Sequence, residues 1–469
     1  MKFSMEQVAQ ATGGRLVGEG GAEVTAVAID SRAVRAGDLY VALPGARVDG
    51  HAFVDAARAA GATGSLTTRD LGEQAGPHVV VEDAQTALGD LARADLLRRQ
   101  AQGGTPDVVA ITGSVGKTTT KDLVQDVLGA LGHVYATRGS LNNEIGLPRT
   151  VLDSPQDTRV LVAEMGADAP GNLTYLTSIA PPRVAVVLAV GRAHLEGFGS
   201  IEGVQRAKAE LVQALRPGGL AVLNHDDARV LAMRADAELV GAGVVTYSAS
   251  GRPEAQVRAE NTRVLDTGQA SFDLCTPQGR ASVTLALIGG HHVANALAAA
   301  AVALELGMSV QQVAEALAVA GPRSPHRMAR HDLAGGVTLI DDSYNANPES
   351  MRAALRALVA LARGRRSVAV LGEMRELGES SRDEHDALGR LAVRLDVDKL
   401  LVVGQGARPL YTGALLEGSF GEEAHFVTDP DQAEAWLRDT LEPGDVVLLK
   451  ASNGAGLHAL ADRLVGGGA

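Results

Sequence analysis

One decapeptide constrains this chain more than any other stretch: Ile111-Thr112-Gly113-Ser114-Val115-Gly116-Lys117-Thr118-Thr119-Thr120. It follows the short β-rich run Val108-Val109-Ala110-Ile111 and opens a helical pattern. A glycine-rich turn between a strand and a helix closes backbone N–H groups around an oxyanion, and it implies a sheet behind it. The lysine adds a point charge suited to β- and γ-phosphates, and the hydroxyl after it suits Mg²⁺. Gly113, Ser114, Val115, Gly116, Lys117, Thr118 and Thr119 are therefore the expected ATP-binding residues, with Lys117 also catalytic and Thr118 also a metal ligand. The pattern is shorter than G-x-x-x-x-G-K-[ST], because Ile111 stands where the first glycine would be. The competing reading is a glycine-rich βα turn that binds nothing.

The neighbouring sequence supplies the sheet. Val160–Ala163, Val184–Leu188 and Leu220–Leu223 are continuous apolar runs, the signature of parallel strands buried on both faces. Residues 255 to 287 read as hairpins, an antiparallel addition. From about 321 a new βα alternation begins, with runs at Val337–Ile340, Ser367–Leu371, Lys399–Val403 and Val446–Leu449, which predicts a second doubly wound, Rossmann-like domain. Residues 1 to 82 mix strand-like runs, Val24–Ile29 and Leu39–Leu43, with glycine-rich turns. Asp83 then stands ready to cap a helix whose Leu88, Leu91, Ala92 and Leu96 recur at helical spacing. The expectation is an α/β protein of three domains, 1–82, 83–320 and 321–469, with a hinge near Ala320-Gly321-Pro322.

Composition narrows the function classes. The 469 residues carry a formal net charge of −13 and no long Lys/Arg block, which argues against a duplex-binding protein. A local pocket of N–H groups and a lysine still suits an anionic nucleotide. Apolar runs such as Ala296–Leu304 are too short to cross a bilayer, and Met1 to Glu6 shows no secretory apolar core. No nucleic acid, no membrane insertion and a cytoplasmic location are expected. Cys275 is the single cysteine, has no histidine nearby and reads as a buried structural thiol.

Three further positions lie at strand ends or just beyond. Glu164 ends an apolar strand, His194 lies in Gly191–Ser200 after another, and Lys208 sits in the helical stretch that follows. Taken singly they read as a solvent-facing carboxylate, a loop histidine and a surface charge. Together with the short loop Gly113–Thr118 and the segment His194-Leu195-Glu196-Gly197-Phe198 they resemble the Mur ligase family, which couples ATP to amide-bond formation on a UDP-muramic acid peptide. The resemblance implies that Thr118, Glu164 and His194 bind Mg²⁺. It also implies that Lys208 is carbamylated by CO₂ and joins the metal shell as an anion, with His194 and Lys208 counted among the catalytic residues.

The resemblance covers about residues 25 to 460. Ile29-Asp30-Ser31-Arg32 and Asp49-Gly50-His51 look like the family's uridine-binding domain, which assigns Ser31, Arg32, Asp49 and His51 to the UDP substrate. Asn142-Asn143-Glu144 and Asp341-Asp342-Ser343-Tyr344-Asn345-Ala346-Asn347-Pro348 are similar to the branch that adds D-alanyl-D-alanine to the UDP-muramoyl tripeptide. That likeness makes Asn143 and Glu144 catalytic and Tyr344, Asn345 and Asn347 substrate contacts. Asn295 would meet the purine, Arg327 the phosphates and Asp342 the ribose, with Lys450 and Ser452 on the substrate side. The chain departs from the family at His292, where an asparagine is usual, and at Ala451 and Asn453, where Lys-Gly-Ser-Arg is usual. A monomer is expected. His385 is a candidate base for the amine, against a plain helix-surface reading. Alternative activities are the diaminopimelate- or lysine-adding ligase, folate polyglutamylation, and a nucleotide-gated binding protein.

Overall fold

The computed structural model describes residues 1–45, 48–103, 105–192, 195–418 and 423–466. Three large sheets organise it, each the core of one domain, and a two-stranded sheet accompanies the first. The first has five strands, in the order Arg15–Val17, His78–Val80, Gly64–Thr67, Asp38–Val41, Ala26–Ala28, parallel except for the first. The expected single strand over Val24–Ile29 is two strands in two sheets. Glu23–Val24 pairs with Phe3–Ser4, and Ala26–Ala28 joins the five-stranded sheet. The break falls at Thr25, whose N–H donates to the Gly37 carbonyl at 2.8 Å and so leaves the strand line.

The central sheet has nine strands. From Val134–Ala136 the order runs Val160–Glu164, Asp107–Thr112, Val184–Val187, Leu220–Asn224, Gly243–Ser248 and Val257–Val264, all parallel. Gln269–Thr276 and Gly279–Ile288 then continue the same sheet as antiparallel hairpins, as the texture of residues 255 to 287 predicts. The third sheet has six strands, in the order Ala329–Asp332, Thr338–Asp341, Val446–Lys450, Ser367–Leu371, Lys399–Val403, Ala424–Val427. Its antiparallel edge, Ala329–Asp332, carries no apolar run because it is only half covered.

Helix Ala84–Gly103 joins the first two sheets. Asp83 caps it through the Thr86 N–H at 2.7 Å, and Leu88, Leu91, Ala92 and Leu96 are fully buried. These four residues belong to one apolar cluster that runs from Phe3 and Val24 to Val151 and Leu161. The opposite face of the central sheet is covered by the alanine-rich helix His292–Glu305, whose small side chains let it pack closely on helix Lys117–Leu128. That helix contains the apolar run Ala296–Leu304. No described helix is long and apolar enough to cross a membrane. Cys275 is buried and its Sγ accepts from Arg280 Nε at 3.0 Å, a structural setting.

Because this core crosses from the first sheet to the second, Leu91→Ala should destabilise both domains together, by about 2–5 kcal/mol. Urea unfolding followed by a probe in each domain should show coincident transitions shifted alike. A first-domain transition that moves alone would refute a shared core.

Candidate active site

The parallel register builds the site. Glu164 lies opposite Ile111, and Val187 lies opposite Thr112, so the turn after Thr112 emerges between a carboxylate and the segment that begins at Leu188. Ile111 is fully buried within the strand, which explains why the glycine pattern starts only at Gly113. Two glycines are required by space. A Cβ on Gly113 would stand 2.9 Å from Leu188 Cβ, and one on Gly116, at φ +82°, would stand 2.5 Å from Asn295 Oδ1. Lys117 Nζ donates to the Gly113 carbonyl at 2.7 Å and so lies back over the loop. Ser114 ties the loop to the next strand end, donating to the Gly191 carbonyl and accepting from the Gly191 N–H.

The third domain closes over this loop. Arg327 Nη2 donates to the Thr118 hydroxyl at 3.2 Å and to Ser140 Oγ at 3.4 Å. Its guanidinium also lies 4.1 Å over the Tyr344 ring. Asn347 caps helix Pro348–Leu361 and donates from Nδ2 to the Ser114 carbonyl at 3.3 Å. Arg192 donates to Glu384 at 2.8 Å, and its N–H donates to Glu349 at 3.1 Å. Between the domains is a cavity of about 480 Å³, a volume ordinary for a small-ligand site. Ser114 to Thr119, Asn143, Glu144, Glu164, Asn295, Arg327, Asp342, Tyr344, Asn345, Asn347 and Lys450 all line it.

Its charges are unusual. Glu164 is buried, with Oε1 accepting from Asn142 Nδ2 at 2.7 Å and Oε2 buried without a partner. A Mg²⁺ bound chiefly by phosphates and water asks the protein for only one or two oxygens. The free Glu164 oxygen and the Thr118 hydroxyl fit that demand, although no cluster of three His, Cys, Asp or Glu occurs among the described residues. Lys208 is 3% exposed and has no acidic partner among the described residues. Burial, reinforced by the charge of Lys117, lowers its pKa to about 7. Burial likewise lowers Lys117, against the pull of Glu164. It lowers Lys450 too, against Asp342, whose carboxylate stands 2.6 Å away.

Several expected residues already hold partners within the fold, some of them in the cavity wall and some outside it. His385 cannot serve as a base for the amine: it is fully buried, Nε2 accepts from the Met374 N–H at 2.9 Å, and Nδ1 donates to the Ser381 carbonyl at 2.6 Å. Asn143 Oδ1 caps the start of helix Gly146–Asp153, and Glu144 accepts from Asn172. The member of that triplet which reaches Glu164 is Asn142, and Ser140, two residues before it, bridges Thr118 and Arg327; neither carries a sequence signal that separates it from its neighbours. Asp342 accepts from Lys450 and from the Met328 N–H, and Asn345 Oδ1 accepts from the Ala346 N–H. Ser452 donates to the Ala346 carbonyl and does not line the cavity. His51 is buried, hydrogen-bonded to Asp49 at 2.6 Å and to the Thr68 N–H at 2.9 Å. Ser31, exposed Arg32 and Asp49 belong to the first domain, outside the cavity, and Arg32 pairs with Asp30. His194 lies outside the described residues.

Comparison with known proteins identifies the family. Three family profiles match in order: Mur ligase family, catalytic domain, over 23–95; Mur ligase middle domain over 111–303; and Mur ligase, glutamate ligase domain, over 326–453. The chain is 48% identical to the UDP-N-acetylmuramoyl-tripeptide–D-alanyl-D-alanine ligase of Mycobacterium leprae, over 94% of this chain and 93% of that relative. A crystal structure of MurF from Acinetobacter baumannii superposes with a TM-score of 0.88 at 32% identity, covering 99% of both chains. MurF of Thermotoga maritima in complex with ADP gives 0.80 at 29% identity, covering 94% of this chain and 97% of that one.

The buried lysine sets a pH dependence. The Lys208 pKa in the fold, about 7, lies below its ordinary 10.5, so the folded state holds its proton less tightly. The penalty for charging it is therefore complete below about pH 7 and fades as pH rises toward 10.5. In CO₂-free, metal-free buffer, Lys208→Met should raise the melting temperature at pH 6 and change it little at pH 10. An equal gain at both pH values would contradict a buried, unpaired cation.

Proposed function

The chain belongs to the Mur ligase family, and from that premise we propose that it joins D-alanyl-D-alanine to a UDP-N-acetylmuramoyl tripeptide at the expense of ATP, forming the pentapeptide precursor of peptidoglycan. One observation carries the reading: residues of both stretches that mark this branch, Asn142 to Glu144 and Asp342 to Asn347, line the same cavity as the phosphate loop. The enzyme is an ADP-forming amide ligase. We place it in the cytoplasm as a monomer, with residues 1–82, 83–320 and 321–469 as uridine-binding, ATP-binding and dipeptide-binding domains.

Two steps follow. A carboxylate oxygen of the tripeptide attacks the γ-phosphorus, the bond to the β-phosphate oxygen breaks, and ADP leaves an acyl phosphate. The dipeptide nitrogen then attacks the acyl carbon, the carbon–oxygen bond to phosphate breaks, and the nitrogen loses its proton. Phosphoryl transfer needs alignment and charge neutralisation more than covalent help. Lys117 and Arg327 bring two cations to the phosphates, and the loop N–H groups orient them. Thr118 and Glu164 would hold Mg²⁺, to which the family resemblance adds His194 as a ligand, and the ion would neutralise phosphate charge. Lys208, buried and drawn toward its neutral form, is suited to react with CO₂, and a carbamate there would supply an anion within reach of the Lys117 charge. Asn295 meets the purine, Asp342 the ribose, and Ser31 and Arg32 the uridine diphosphate. Domain closure excludes water from the acyl phosphate.

An amine screen tests the assignment. With ATP and Mg²⁺, ADP release should require both the UDP-muramoyl tripeptide and D-alanyl-D-alanine. The UDP-muramoyl dipeptide with diaminopimelate or lysine should be silent, as should folate with glutamate. Turnover in either of those mixtures, and none with the first, would overturn the assignment.

A further inference from the structure

The strand ends of the third domain carry a cation that none of these roles uses. Arg375 lies in the loop after strand Ser367–Leu371. The parallel neighbour Val446–Lys450 brings the turn Ser452–Gly454 beside it. Crevices outside the carboxyl ends of parallel strands are where α/β sheets take ligands. The loop is pinned through its backbone: the Met374 N–H donates to His385 Nε2 at 2.9 Å, and the Arg375 N–H donates to Ser452 Oγ at 3.0 Å. The next residue, Glu376, holds φ at +63°, a left-handed conformation uncommon for a side-chain-bearing residue and typical of ligand-holding loops.

The side chain of Arg375 is free of that pinning. It is 52% exposed, with Nε on Glu373 at 3.2 Å and Nη2 on the Gly454 carbonyl at 3.0 Å. A guanidinium has five N–H donors, so most of its fork stays open. Gly454 makes room for it: a Cβ there would stand 2.0 Å from Nη1. The guanidinium therefore lies against the turn Ser452–Gly454. That turn adjoins the cavity, because Ser452 Oγ donates to the carbonyl of Ala346, a residue of the cavity wall. Lys117 and Arg327 are spent on the phosphate loop, and Lys450 is paired with Asp342. A dipeptide reaches about 7 Å end to end.

We propose that Arg375 binds the terminal carboxylate of the incoming dipeptide through a two-pronged guanidinium–carboxylate pair, oriented by Glu373. This makes Arg375 a specificity residue for the second substrate, and it rests on the reaction proposed above. Initial rates are measured with D-alanyl-D-alanine and with its C-terminal carboxamide, for the wild type, Arg375→Ala and Arg375→Lys. The wild type should prefer the acid by roughly ten- to hundredfold in kcat/KM. Arg375→Ala should lose that preference through the KM for the dipeptide, with the KM for ATP unchanged, and Arg375→Lys should recover only part of it. An acid preference that survives in Arg375→Ala, or a rise in KM alike for acid, amide and ATP, overturns the inference and leaves the reaction standing. A wild type that turns over neither dipeptide overturns the reaction and the inference with it.

Discussion

The guanidinium of Arg327 on the hydroxyl of Thr118 is the contact on which the rest of the site depends. It joins a residue just past the interdomain linker to the first turn of the helix after the phosphate loop. Holding it there strains the chain. His326 and Met328, on either side, both adopt left-handed backbone angles, +58° and +52°, at a cost of about 1–3 kcal/mol each. Local bonds offset that cost: His326 Nδ1 lies 2.6 Å from Asp341, and the Met328 N–H donates to Asp342. The linker itself is anchored where the Ser324 N–H donates to Asp122. Asp122 sits on the same helix as Thr118, so the linker and the phosphate loop are tied to one helix.

The site also inverts the charge of the molecule around it. The chain is strongly acidic overall, yet Lys117 and Arg327 meet at the loop with Glu164 as the nearby carboxylate, and the buried Lys208 feels the charge of Lys117. In a desolvated cleft such charges act with little screening. Burial lowers both Lys117 and Lys208, and a neighbouring cation adds to it in each case, Arg327 for Lys117 and Lys117 for Lys208. A triphosphate relieves that repulsion, so binding energy and closure reinforce each other.

How much was legible in the sequence follows from what each feature depends on. The phosphate loop and the parallel strands could be read because they are local: a glycine turn, a lysine, and apolar runs that exist because both sheet faces are covered. The helix after Asp83 was equally local. The alternation over Val24–Ile29 does not reveal the break at Thr25, because that break is decided by Gly37, twelve residues away. Edge strands such as Ala329–Asp332 carry no apolar signal. Sequence leaves His385 open between a base and a helix-surface residue, because nothing in its own stretch reveals that the Met374 N–H claims it. The bond from Arg192 to Glu384 spans 192 residues, and no spacing rule could reveal it.

The central claim is that Arg327 holds the third domain against the phosphate loop. Spin labels on Leu239→Cys and Leu416→Cys, both on exposed surface of the central and third domains, would report it in a Cys275→Ala background. In the otherwise unaltered protein the distance distribution should be a single narrow peak with ATP bound. Adding Arg327→Ala should broaden it and shift it to longer distances under the same conditions. Superimposable distributions in the two proteins would contradict the claim that this contact holds the domains together.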